Sequence, residues 1–210
     1  MHNSKIFYKI MKGIIIVLLI VRACQLLVRF YNVYILHQVI QGNEALKTKL
    51  HFIQSELDVE KKMSYFTLLP FVICFSIWLY ISYKKAVAAS RVKLSYKPLL
   101  ALFSFIIPFF NLFGPYKIMN EIWTVRNRDM SKEKEGKKQI TMWWFLTIAI
   151  AFYTRYWQYK TDSAIDLEAF LHTEYLAIIL FLVTIHYLIV LLKLLIMIES
   201  QPEMESIAVE

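Results

Sequence analysis

From residue 13 to residue 36 the chain runs predominantly apolar, and the only charges in that stretch are Arg22 and Arg29. Such a run exceeds the ~20 residues a helix needs to cross the hydrocarbon core of a bilayer. Further apolar runs follow at 66–83, 99–113, 140–153 and 175–198. A water-soluble domain cannot hide this much apolar surface. Hydrophobic residues make up 58% of the chain and charged residues 19%, against about 45–50% and roughly 25% in ordinary soluble domains. With only 4 Gly and 5 Pro, and no two-residue alternation, neither a disordered chain nor a transmembrane β-barrel fits, and helices are left as the spanning element.

The runs are unequal. The one at 140–153 reaches spanning length by including the aromatic pair Tyr156 and Trp157, so its span is 140–157. The one at 99–113 follows Pro98, is interrupted at Pro108 and ends at Gly114-Pro115. As an unbroken helix it would reach only ~22 Å. Charge in the connecting segments decides its path. Lys84, Lys85, Arg91, Lys93 and Lys97 form one basic block without an acid, and seven basic residues against four acids lie between Lys117 and Lys138. Both blocks, with Lys5, Lys9 and Lys12, read as cytoplasmic. Segments 37–65 and 155–174 are balanced or acidic and read as external. A third span would put the two most basic blocks on opposite sides of the membrane. The expected fold is therefore all-α integral membrane: one membrane domain over 1–210 with four transmembrane helices at 13–36, 66–83, 140–157 and 175–198. A Pro-broken re-entrant segment at 98–114 enters and leaves on the cytoplasmic side, and both termini are cytoplasmic.

Amphipathic interfacial helices complete the expectation. Pro115 suits a helix start, because its missing N–H costs nothing there. Over 115–127, Ile118, Met119, Ile122, Trp123 and Val125 form an apolar face, with Lys117, Glu121, Arg126 and Arg128 toward water. In the external segment 37–65, Leu46, Leu50, Ile53 and Leu57 recur at helical spacing after Gly42-Asn43. Ser163 and Asp166 match a capping box for a short external helix. The residues 199–210 read as a frayed acidic tail.

The residues that could carry chemistry are few. Arg22, Gln25, Arg29 and Asn32 share one face of the first span. A charge near the centre of such a helix costs roughly 2.5–3.5 kcal/mol, so partners are expected. No acid lies within any apolar run, and Glu121, Glu174 and Glu199 read as interfacial. The expected partners are carbonyls freed near Pro108, the side chain of Asn111, or a bound anion such as a lipid phosphate. His186 and Lys193 share a face of the last span, and Thr147, Thr154 and Gln158 one of the fourth, as interhelical hydrogen-bonding groups do. Asp162, Asp166, Glu168 and His172 match no metal or acid–base spacing. Cys24 and Cys74 lie in apolar runs and read as structural thiols, so no metal site and no cofactor is expected.

The stretch Pro108-x-x-Asn111-x-x-x-Pro115-Tyr116, followed by Met119-x-Glu121-Ile122-Trp123, resembles a bacterial family of multi-pass membrane proteins known only as a domain of unknown function. Trp78-Leu79-Tyr80 upstream and the pair Trp143-Trp144 downstream extend the resemblance from about residue 66 through the last span. After Trp78 the family usually has an Arg and then an Asn, where this chain has Ile81 and Lys85. The resemblance implies a bacterial plasma-membrane fold and no transferable activity.

The net charge of +8 lies in blocks between apolar runs without interleaved aromatics, which excludes a single-stranded nucleic-acid binder. An embedded enzyme would need paired acids or a nucleophile with its base at depth, and neither is legible. The sequence thus points to a non-enzymatic membrane component that binds membrane lipids through anionic headgroups, or binds a partner membrane protein or a second copy of itself. The alternative is a subunit of a small transporter or channel.

Overall fold

The structure, a computed structural model, describes the backbone of residues 2–90, 93–127 and 130–201, and within these the side chains other than those of 2–5, 54, 56–58, 60–65, 67 and 130. Arg91, Arg128, Asp129, the side chain of Leu57 and the acidic tail beyond residue 201 lie outside the described residues. The regular secondary structure of the described residues is all helical, with no strand among them. The helices are α1 (His2–Ile40), α2 (Thr48–Ala89), α3 (Pro98–Leu102), α4 (Gly114–Arg126), α5 (Met130–Asp162) and α6 (Leu167–Glu199). Among the described residues three stretches are long and apolar enough to cross a membrane: Ile6–Ile40, Leu68–Ala89 and Leu167–Glu199.

The helices run further than the apolar pattern implies. Residues 48–65 do not form a separate amphipathic helix but continue into the second apolar run as one 42-residue helix, α2. Nothing between Thr48 and Leu69 breaks it, since that stretch contains no Gly or Pro and is rich in straight-chain helix formers. The presumed capping box resolves differently as well. Asp166, not Ser163, caps the helix: its Oδ1 accepts from the Ala169 N–H at 2.7 Å. Ser163 Oγ instead donates to the Lys160 carbonyl at the end of α5. Helix α6 starts at Leu167, so Asp166 occupies the capping position, where its side-chain oxygen satisfies an orphan N–H. The expected short external helix is thus the first turns of α6.

Residue contacts group the chain into two compact units, one comprising Met1–Ile15, Leu69–Phe145 and Ile189–Glu210, the other Ile16–Leu68 and Leu146–Leu188. The first is built on aromatics. Phe71, Phe75 and Trp78 stack along one face of α2, and Phe75 also meets Phe105 and Trp143. Helix α4 buries Ile118, Met119, Ile122 and Trp123 as its periodicity requires, and Arg126 is buried with them. Gly136 of α5 lies against the Trp123 indole, where a Cβ would come within 2.0 Å of a ring carbon.

The second unit contains the tight turn that ends α1. Gly42, at φ 95°, donates to the Val39 carbonyl while Asn43 donates to that of Gln38, both at 3.0 Å. This is a Schellman stop, which favours glycine at the left-handed position. Ile35, Leu36, Val39 and Ile53 then close a small core over the turn, with Leu167, Phe170 and Leu171 of α6 against it. Trp157, Ala177, Leu180 and Phe181 form a second core, contacted by Leu26 of α1.

Candidate functional site

The polar face of α1 lies in the second unit, and its two arginines have different surroundings. Arg29 Nη1 donates to Glu174 Oε1 at 2.6 Å, with the side chains 2% and 0% exposed. Two opposite charges at that separation, shielded from solvent, compensate the loss of hydration that either alone would suffer. The Trp157 indole N–H donates to the Thr173 carbonyl at 3.1 Å and so fixes the backbone next to Glu174. Asn32, one turn beyond Arg29, is buried and has a partner of its own.

Arg22 lies two turns earlier and is half-buried. Its Nη1 donates to Gln25 Oε1 at 2.9 Å, and its guanidinium lies 5.4 Å from the centre of the Phe181 ring. The same ring lies 5.8 Å from the guanidinium of Arg29. Both partners of Arg22 are neutral. A guanidinium presents five donors, so one bond to Gln25 leaves it able to take an anion.

Glu174 is thus the functional residue that sequence reasoning missed, because it precedes the last apolar run by a single position. A signal was present: Glu174, Ala177 and Phe181 fall at helical spacing on one face and are all buried. Asn111, the side chain expected to partner the arginines, belongs to the first unit, where it lies half-buried in the short 3-10 turn Phe110–Leu112.

In the first unit, the residues carrying the family resemblance surround the broken segment between α3 and α4. Helix α3 has only five residues, and Pro108 and Phe109 after it are exposed. The Trp144 indole N–H of α5 donates to the Leu112 carbonyl at 3.0 Å, supplying a partner that the interrupted helix cannot. Gly114 lies under the Phe110 ring, where a Cβ would come within 2.4 Å of a ring carbon. Pro115 follows in the first turn of α4 as its lost donor allows. Tyr116 and Thr141 hydroxyls meet at 3.3 Å.

Two acids organise the same unit. Glu121 accepts the Tyr83 hydroxyl at 2.5 Å and the Ser95 N–H at 3.3 Å. The Tyr83 oxygen in turn accepts the Tyr96 N–H at 3.1 Å. The connecting segment is thereby tied to α2 and α4. Glu199 accepts from Arg126 at 3.2 Å and from the Trp78 indole at 3.3 Å. Arg126 therefore does not face water as expected. It lies one turn beyond Ile122 and Trp123, on the buried face, and Glu199 offsets its charge. Trp143 packs on Phe75 and Trp144.

The site thus belongs to an all-helical chain in which, among the described residues, three helices are long and apolar enough to cross a membrane. Residues 62–200 match the family described as Domain of unknown function (DUF4328), and the chain belongs to that family. No curated protein and no solved structure matches it. The matched stretch includes Glu174 and every residue from Trp78 to Trp144 named above, whereas Arg22, Gln25, Arg29 and Asn32 precede it.

Proposed function

We propose that the chain is a non-enzymatic, multi-pass component of a bacterial plasma (inner) membrane that binds anionic lipid headgroups, with Arg22 as the principal cation. One observation carries this reading. Among the described residues Arg22 contacts Gln25 and the Phe181 ring but no acid, whereas the neighbouring Arg29 is neutralised. An uncompensated guanidinium in a spanning helix is costly, and a lipid phosphate is the counter-ion a membrane supplies in abundance. Arg22 lies ~13 Å along the helix from residue 13, so a long side chain and local thinning of the bilayer bring a headgroup to it.

Four passes at 13–36, 66–83, 140–157 and 175–198, with cytoplasmic termini, give the topology of this reading. Segment 98–114 enters and leaves on the cytoplasmic side. Its support is physical: five residues of helix rise only ~7.5 Å, and Leu99, Ile106 and Phe109 expose apolar side chains. The Trp144 bond to Leu112 covers backbone that lipid cannot satisfy. In sealed vesicles, Ser95→Cys and Ser131→Cys should be labelled by an impermeant thiol reagent from the same side. Labelling from opposite sides contradicts the topology.

The lipid reading is tested with Arg22→Gln. Native mass spectrometry of the extracted chain should show loss of one co-purifying anionic phospholipid with the helical content unchanged. A folded Arg22→Gln variant that retains the wild-type lipid complement overturns the assignment.

A further inference from the structure

The hairpin of α1 and α2 holds a second feature that the Arg22 reading does not use. Val28, Tyr31, Asn32 and Ile35 line one face of α1, at the spacing of successive helical turns. Thr48, Lys49, Phe52 and Ile53 line the facing side of α2, and between them lies a groove of about 520 Å³. Its floor is apolar. Ile35 and Ile53 are buried in the core beneath it, while the Phe52 ring stands 72% exposed at its edge.

The polar end of the groove is built from Lys49 and Tyr31. Lys49 Nζ donates to the Tyr31 hydroxyl at 2.9 Å and lies 5.6 Å from the centre of the same ring. The contrast with its neighbour is informative. Lys47 is balanced by Glu44 at 2.7 Å, whereas Lys49 is held in place by a neutral phenol and meets no acid among the described residues. A lysine bonded to a phenol, with no acid beside it among the described residues, at one end of an apolar groove has the charge distribution of a receptor for an amphiphile whose head is negative. Thr48 also lines the groove. The exposed Phe52 and Val28 offer the surface along which an acyl chain would lie.

We infer that this groove seats one phospholipid with an anionic headgroup, its phosphate at Lys49 and Tyr31 and an acyl chain along Val28, Ile35 and Phe52. This shares the membrane setting of the preceding proposal but not its cation, so the two stand or fall separately. The charge of Lys49 sets the preference for an anionic over a zwitterionic head, and the apolar walls contribute equally to both.

The test is a titration of the full chain in detergent with phosphatidylglycerol or phosphatidylcholine, read by native mass spectrometry. Lys49→Gln should weaken the phosphatidylglycerol adduct about fivefold, the contribution of one cation near a membrane surface, and leave the phosphatidylcholine adduct as it was. Phe52→Ala should weaken both lipids, and Lys49→Arg should restore the preference. Arg22→Gln, in the same titration, should remove a separate adduct and leave the Lys49-dependent one intact. Circular dichroism on each variant confirms an unchanged helical content. An undiminished phosphatidylglycerol adduct in folded Lys49→Gln overturns the inference. So does a loss of selectivity that follows Arg22 alone, which points to one site rather than two. Equal weakening of both lipids by Lys49→Gln also overturns it, since the lysine would then be shaping the groove and not selecting charge.

Discussion

Arg29 and Arg22 stand on one face of one helix, two turns apart, and are treated in opposite ways. Arg29 is sealed against Glu174 with both side chains almost wholly buried. Arg22 is left half-buried with a carboxamide and a ring. The shared Phe181 ring makes the comparison close, because packing and helix geometry are common to both. What differs is the acid. A buried pair carries its own counter-ion; a guanidinium held by neutral groups has its charge uncompensated by either of those partners. On the proposed reading, the first arrangement serves assembly and the second binding.

Substitution of the acid should have the largest effect. Glu174→Leu strands Arg29 without its counter-ion and should cost about 3–5 kcal/mol, read as a lowered midpoint of unfolding in detergent. Arg29→Leu combined with Glu174→Leu should recover most of that loss, since an apolar pair of similar volume often replaces a buried ion pair without penalty. Arg22→Leu should change stability by less than about 1 kcal/mol, because a half-buried guanidinium bonded to a neutral group contributes little to folding. Equal losses for Arg22→Leu and Glu174→Leu would break the distinction between the two arginines.

The sequence makes the class of fold readable and blurs the details that depend on tertiary partners. Apolar runs, the start of α4 at Gly114-Pro115 and the turn at Gly42-Asn43 are local signals, governed by hydrophobic burial and by the φ restrictions of Pro and Gly. Helix continuity was less legible, because a charged stretch such as 48–65 is compatible with either a surface helix or the extension of a span. Asp166 replaced Ser163 as a cap because both residues fit the same short pattern, and only the position of the first helical turn separates them. The arginine face was visible in its spacing of three and four. Its partner was not, since Glu174 and Arg29 are far apart in sequence and no periodicity links them. Arg126 was misassigned to water for the same reason: its burial depends on Glu199, many residues away.

The central claim is that Arg22, and not Arg29, contacts a lipid phosphate. Solid-state NMR of the chain with nitrogen-15 arginine in bilayers containing phosphatidylglycerol measures this directly, through dipolar coupling between lipid phosphorus and guanidinium nitrogen. A nitrogen signal assigned to Arg22 and coupled to phosphorus at about 4 Å, as a charge-assisted hydrogen bond requires, should be present in the wild type and in the Arg29→Leu/Glu174→Leu variant, and that assigned signal should be missing in Arg22→Gln. Persistence of that coupled signal in Arg22→Gln, or its absence from the wild type, contradicts the account.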